Sequence, residues 1–154
     1  MDEICFMFGH RYCPEALFPQ IVAAVREHIE SHGCDHFIVG HRGEFDRLAS
    51  RAVIAMKEIY PHIKLDRLEP YYHSHKPYYS PEGVDSHLYP YGLELVPKSL
   101  AILKANEIMI DDYCSTVICF VQYSTASNTY KLLERAKRKK NLVITNLGQL
   151  APEN

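Results

Sequence analysis

The feature that most constrains this chain is a sequence of events that happens twice near its amino end. Ile4 to Phe8 is a short apolar run stopped by Gly9, and Phe18, Ile21, Val22, Val25 and Ile29 then recur at helical spacing. That helix is expected to begin near Pro14-Glu15, where proline suits a first turn and glutamate the positive dipole end, and to stop at Gly33. His36 to Val39 is a second apolar run, Gly40 to Gly43 a second loop, and Phe45, Leu48, Ala49, Ala52, Met56 and Ile59 a second apolar stripe that ends before Pro61. Two strand-loop-helix units in succession imply parallel strands, because tight turns cannot join parallel neighbours.

Ile63 to Leu68 reads as a third strand. Residues 70 to 97 then break the pattern: prolines, glycines, histidines and six of the chain's eleven tyrosines crowd together without a sustained period. This stretch is expected to be an irregular insertion. Helical spacing resumes through Leu100, Leu103, Ile108 and Met109, and the continuous apolar run Thr116 to Val121 suits a central strand buried on both faces. Asn128 is a plausible cap for a last helix through Tyr130, Leu133 and Ala136, with Leu142 to Thr145 as a fifth strand. The expectation is an α/β, Rossmann-like three-layer sandwich of about five parallel strands in the order 3-2-1-4-5, joined by right-handed crossovers. With 154 residues, nearly half of them apolar, residues 1 to 154 suffice for one domain and leave no room for a second.

In such a sheet the winding reverses between the first and fourth strands, and ligands bind at the carboxyl ends there. The loops at those ends carry Gly9, His10 and Arg11; Gly40 through Gly43, Glu44, Phe45 and Asp46; and Ser124, Thr125, Ala126, Ser127, Asn128 and Thr129. Glycine admits a ligand close to the backbone, free amides at a following helix start attract anions, and Arg11 can clamp a phosphate bidentately. The hydroxyl and amide groups from Ser124 to Asn128 offer donors to a second phosphate or a ribose. Each piece also has a purely structural use: strand-ending glycines make turns, Glu44 and Asp46 complement the amino end of the second helix, and Ser127 or Asn128 caps the last one. It is the convergence of three loops that favours a ligand.

Neither G-x-G-x-x-G after the first strand nor an acid at the end of the second is present, which argues against a dehydrogenase, and no G-x-x-x-x-G-K-[ST] marks a P-loop. With its strand-Gly-His-Arg start, its Gly-x-x-Gly-x-Phe-Asp segment from Gly40 to Asp46 and its serine-rich turn before the last helix, the chain resembles the SLOG superfamily. That superfamily includes the Smf/DprA proteins and the LOG phosphoribohydrolases, and the resemblance leans toward its YpsA-like branch of single Rossmann-type domains that bind nucleotide-derived ligands. It covers most of the chain. It implies a first ligand loop at Gly9, His10 and Arg11, a second at Gly40, Gly43 and Asp46, and Asn106 on a helix facing the site. Where that branch places a Gly-Gly or Gly-Ala pair, this chain has Ala126-Ser127-Asn128. The P-G-G-x-G-T-x-x-E signature of the LOG hydrolases is absent, so their N-glycosidic cleavage is not carried over by the resemblance.

Other features are weighed against plainer uses. His73, His75 and His87 invite a metal, but no fourth ligand has convincing spacing, so no metal and no cofactor are expected. A tyrosine-rich, proline-rich segment more readily forms a lid over the crevice or a contact between copies of the chain. The basic run Arg135, Lys137, Arg138, Lys139 and Lys140 suits the carboxyl end of a helix and lacks interleaved aromatics. Because 17 basic residues face 19 acidic ones, no broad positive field favours nucleic acid. Five cysteines, none in C-x-x-C, argue against a disulfide framework or zinc ribbon; Cys5 and Cys119 read as buried apolar groups and Cys13 as the one thiol to test for reactivity. With no apolar run of membrane-spanning length and no signal-type start, the expectation is a cytoplasmic protein without a membrane contact.

The function expected is binding of a nucleotide-derived, phosphate-bearing small molecule, as a sensor or regulator. The first alternative is a hydrolase of nucleotides or nucleoside phosphates, LOG-like cleavage included, with Glu44 or Asp46 as base or as the carboxylate facing an oxocarbenium-like transition state. The second is an interaction module that kept the fold and lost its ligand.

Overall fold

A computed structural model describes residues 3–124 and 127–150. Strands β1 (Ile4–Gly9), β2 (His36–Val39), β3 (Lys64–Leu68), β4 (Ser86–Leu88), β5 (Thr116–Phe120) and β6 (Val143–Asn146) form one sheet in the order β4-β3-β2-β1-β5-β6. Every pairing is parallel. Helices α1 (Phe18–His32) and α2 (Glu44–Lys57) cover one face, and α3 (Ala101–Ile108) and α4 (Asn128–Lys137) the other. This is the Rossmann-like three-layer arrangement, with six strands where the sequence suggests five.

Strand alternation sends successive side chains into the two layers. On β1, Cys5 and Met7 face Ile21, Val25, Leu48 and Ala52 of α1 and α2, while Phe6 and Phe8 face Met109, Ile110 and Leu133. β5 is buried along its whole length, as its unbroken apolar run requires. A 3-10 turn at Glu15–Leu17 leads into α1, which ends on Gly33 in the left-handed region at φ 68°, where glycine carries no Cβ penalty. His28, fully buried on α1, spans to the sheet through hydrogen bonds with the hydroxyls of Thr116 (2.9 Å) and Thr145 (2.8 Å).

The sixth strand corrects the reading of residues 70 to 97 as wholly irregular. Three residues, Ser86–Leu88, add to the edge of β3 in register, Asp66 with Ser86 and Leu68 with Leu88. Side chains pin this short strand: Asp85 accepts from the Leu65 amide at 2.8 Å and from Lys57 Nζ at 2.6 Å, and the Glu69 amide donates to the Leu88 carbonyl at 2.8 Å. Further on, Leu93 is buried in the α3 and α4 layer, whereas Tyr72, Tyr79 and Tyr91 stay exposed.

The helical stripe before β5 is also redistributed. Ala101, Ala105 and Met109 are buried, Leu100 is exposed, and α3 closes in a π-helical turn from Met109 to Tyr113 that shifts the later side chains around the axis. Within the basic run, Arg135 pairs with Asp111 and Glu107, and Lys139 caps the carbonyls of Ile110 and Asp111. No helix among the described residues is long and apolar enough to cross a membrane.

Candidate ligand-binding crevice

The sheet winds outward from β1 in both directions, and a crevice of about 410 Å³ opens at the carboxyl ends on the α3 and α4 side. Gly9 and Arg11 line it from the loop after β1; Gly40, Arg42, Gly43 and Asp46 from the loop after β2; Ser99, Ile102, Leu103 and Asn106 from α3 and its approach; and Asn128, Thr129 and Leu132 from α4. The structure thus brings together Gly9, Arg11, Gly40, Gly43, Asp46, Asn106 and Asn128 of the residues singled out by sequence.

The glycines serve close approach between the protein's own parts. A Cβ on Gly9 would stand 2.5 Å from Cγ of the buried Phe45, whose ring stacks on Phe120 with centroids 6.4 Å apart. A Cβ on Gly43 would stand 2.8 Å from the Arg11 Cα. There the two loops are clasped: the Glu44 amide donates to the Arg11 carbonyl at 2.7 Å, and the Cys13 amide donates to Glu44 Oε2 at 3.1 Å. Arg11 is therefore held at the rim by backbone contacts, while its side chain is exposed and forms no hydrogen bond or ion pair among the described residues.

Several expected site residues have other tasks. Glu44 does not line the crevice; its carboxylate braces the β1 loop through Cys13. His10 does not line it either. Its amide donates to the Phe120 carbonyl at 3.2 Å and its Nε2 accepts from the Gln122 amide at 2.8 Å, which places the ring proton on Nδ1. Burial lowers the His10 pKa, in keeping with a neutral ring that ties the end of β1 to that of β5. Ser124 is exposed and away from the lining, Thr125 lies outside the described residues, and Ser127 caps α4 by accepting from the Tyr130 amide at 3.2 Å. Ser127, not Asn128, is the N-cap.

The electrostatics of the crevice are uneven. The first turn of α2 carries Glu44 and Asp46, which offset the positive end of its dipole; the first turn of α4 carries no acid. Asp46 Oδ2 accepts from the Arg42 amide at 3.0 Å, and a Cβ on Gly40 would reach within 2.9 Å of the same oxygen. Burial pushes the Asp46 carboxyl up to about 6, with the amide hydrogen bond opposing only part of that rise. Arg42, which sequence reasoning left without a role, places its guanidinium 5.2 Å from the centre of the Tyr71 ring and lines the crevice opposite Arg11's loop. The repeated Gly-His-Arg was the available signal, since Arg42 follows Gly40 and His41 as Arg11 follows Gly9 and His10.

His73 packs on the Tyr78 ring with centroids 4.2 Å apart, His87 stacks on the same ring at 5.3 Å, and His87 Nδ1 lies 2.7 Å from Glu69 Oε2. Among the described residues no group of three histidine, cysteine or acidic side chains could hold a metal. All five cysteines are free and buried. For Cys13, the thiol singled out for a reactivity test, burial, with Glu44 and Glu15 nearby, pushes the thiol up to about 11, away from the thiolate. A scan of the chain against protein-family models finds no match, and a search of the curated proteins finds none.

Proposed function

We propose that the crevice binds a nucleotide-derived, phosphate-bearing small molecule and that the protein serves as its sensor or regulator. The observation that carries this reading is an exposed Arg11, without an ion pair among the described residues, at a crevice that Arg42 also lines and that receives the acid-free amino end of α4. Phosphate belongs at Arg11 and the α4 start, because the α2 start is already answered by its own carboxylates. Asp46 and Asn106 then face the hydroxyls or base of the ligand. The resemblance to the SLOG superfamily supports the same assignment, and SLOG membership is part of the proposal. Five unpaired thiols support a reducing, cytoplasmic setting, and the exposed tyrosines of residues 70 to 97 support self-association there. No membrane or nucleic-acid partner is invoked.

Thermal-shift titration with AMP, ADP-ribose and inorganic phosphate tests the reading. A ligand at 100 times its Kd stabilises by about 2.7 kcal/mol, a rise of roughly 5 to 10 °C for a chain of this size. Arg11→Ala is expected to remove most of that rise while leaving the unliganded melting point in place. An Arg11→Ala protein stabilised as strongly as the parent overturns the phosphate assignment.

One observation favours the hydrolase reading: a carboxyl titrating near 6 inside a crevice is suited to general acid or base work. Product analysis of the same mixtures separates the two, since turnover abolished by Asp46→Asn means a hydrolase and stabilisation without turnover means a sensor. If no nucleotide stabilises the protein, the interaction module stands instead.

A further inference from the structure

Behind the β2 loop, between α2, β3 and the chain leading into β4, lies a second cavity of about 410 Å³. It shares Gly40, Gly43 and Asp46 with the crevice as a common wall, but its remaining lining is different. Val39, Ile54, Leu65, Pro81 and Val84 make most of it apolar. Arg67, near the end of β3, also lines it. The Arg67 Nε is buried and has no hydrogen-bond partner among the described residues, a state native proteins rarely leave unused.

Other charged side chains around the cavity have partners of their own. Arg47 and Arg51 both pair with Glu15, at 2.6 and 3.4 Å. Asp66 is held by His36 Nε2 at 2.6 Å and by the Ser86 hydroxyl. His41 bonds Glu69 through Nε2 at 2.9 Å, and burial together with the charge of Arg67 lowers its pKa, so it adds no second cation at neutral pH. Among the described residues Arg67 is the lining guanidinium with a buried, unpartnered donor, and the wall around it is mostly apolar. A single negative charge on an apolar body suits that donor and that wall; a phosphate dianion beside the Asp46 carboxylate does not.

We propose that this cavity is a second small-molecule site, taking a monocarboxylate with a compact apolar body whose carboxylate is held by Arg67 and whose body rests against Ile54 and Val84. The site stands independently of the crevice's phosphate ligand.

The test is an NMR titration that follows the Arg67 Nε–Hε and Ile54 methyl signals while 4-methylvalerate, benzoate, benzamide or inorganic phosphate is added. Saturable shifts at both positions are expected from the two acids, with benzamide weaker by about tenfold or more and phosphate leaving Arg67 unmoved. Arg67→Lys, which keeps the charge and loses the planar fork, is expected to weaken the acids by about tenfold, and Val84→Phe, which fills the cavity from the opposite wall, to abolish binding. Either variant decides the matter if the other fails to fold. The proposal is overturned if neither acid saturates below about 10 mM, if benzamide or phosphate matches them at Arg67, or if a folded variant binds as the parent does. It is overturned equally if Arg11→Ala abolishes the acid response, since the acids would then be occupying the crevice.

Discussion

Asp46→Asn should make the protein more stable above pH 6 and no more stable near pH 4. The Asp46 carboxyl titrates at about 6 in the folded chain against an ordinary 3.8, so between those values the folded state holds a proton that the unfolded state has released. With more protons bound to the native than to the unfolded state, stability falls as pH rises through that window and then levels off. The full displacement corresponds to about 3 kcal/mol, and partial contact with water in the crevice trims this to about 1–2 kcal/mol. Asparagine keeps an oxygen able to accept from the Arg42 amide and carries no charge to desolvate, so the variant escapes the penalty. Urea melts of parent and variant at half-unit steps from pH 4 to 8 measure it, with the difference between the two curves as the readout. That difference cancels other titrations, such as Asp111, which Arg135 holds below the usual carboxylate range and which costs stability as pH falls. Parallel curves across the whole range refute the burial argument, and so does a variant that loses stability above pH 6.

Gly9→Ala is expected to cost about 1–3 kcal/mol by overpacking against the Phe45 ring, and Phe45→Leu in the same chain to recover part of it; denaturant melts of both singles and the double give the coupling directly. His28→Leu removes the bonds to Thr116 and Thr145 and leaves the buried Thr116 hydroxyl with the weaker Cys34 thiol as its partner, for an expected loss of about 1–3 kcal/mol, read as a drop of roughly 2–4 °C in Tm per kcal/mol. A His28→Leu protein that melts with the parent shows that the imidazole contributes packing alone.

The layers of this protein were legible because β1 and β2 are apolar runs closed by glycine, β5 is an unbroken apolar run, and α1 and α2 each carry an apolar stripe. The burial of Thr116 to Phe120 on both sides follows from residue type alone. β4 was not legible, since Ser86, His87 and Leu88 are too few to show alternation and owe their place to Asp85, Lys57 and Glu69. The loops at the sheet's carboxyl edge were correctly located, yet their members divide by contacts no spacing rule encodes. Glu44 turns to the Cys13 amide and His10 to the Gln122 amide, while Arg42, in the same sequence context as Arg11, reaches the crevice. Ser127 rather than Asn128 caps α4 because the cap is set by which side chain meets the Tyr130 amide, a matter of one residue in register.

The division of labour in the crevice also accounts for the missing dinucleotide fingerprint. In a glycine-rich phosphate loop, bare amides at the first helix receive the anion and the glycines let it come close. Here the close approach at Gly9 and Gly43 is taken up by Phe45 and the Arg11 backbone, and the start of α2 is neutralised by Glu44 and Asp46. That space and that charge are no longer open to a phosphate. What the same contacts produce instead is a fixed seat for Arg11, clasped through its carbonyl to Glu44, at a crevice it shares with an acid-free α4 start. The positive charge open to a ligand here is on side chains rather than backbone amides, so the phosphate site proposed above rests on guanidinium groups and is removable by a single substitution, as it is not where amides alone do the holding.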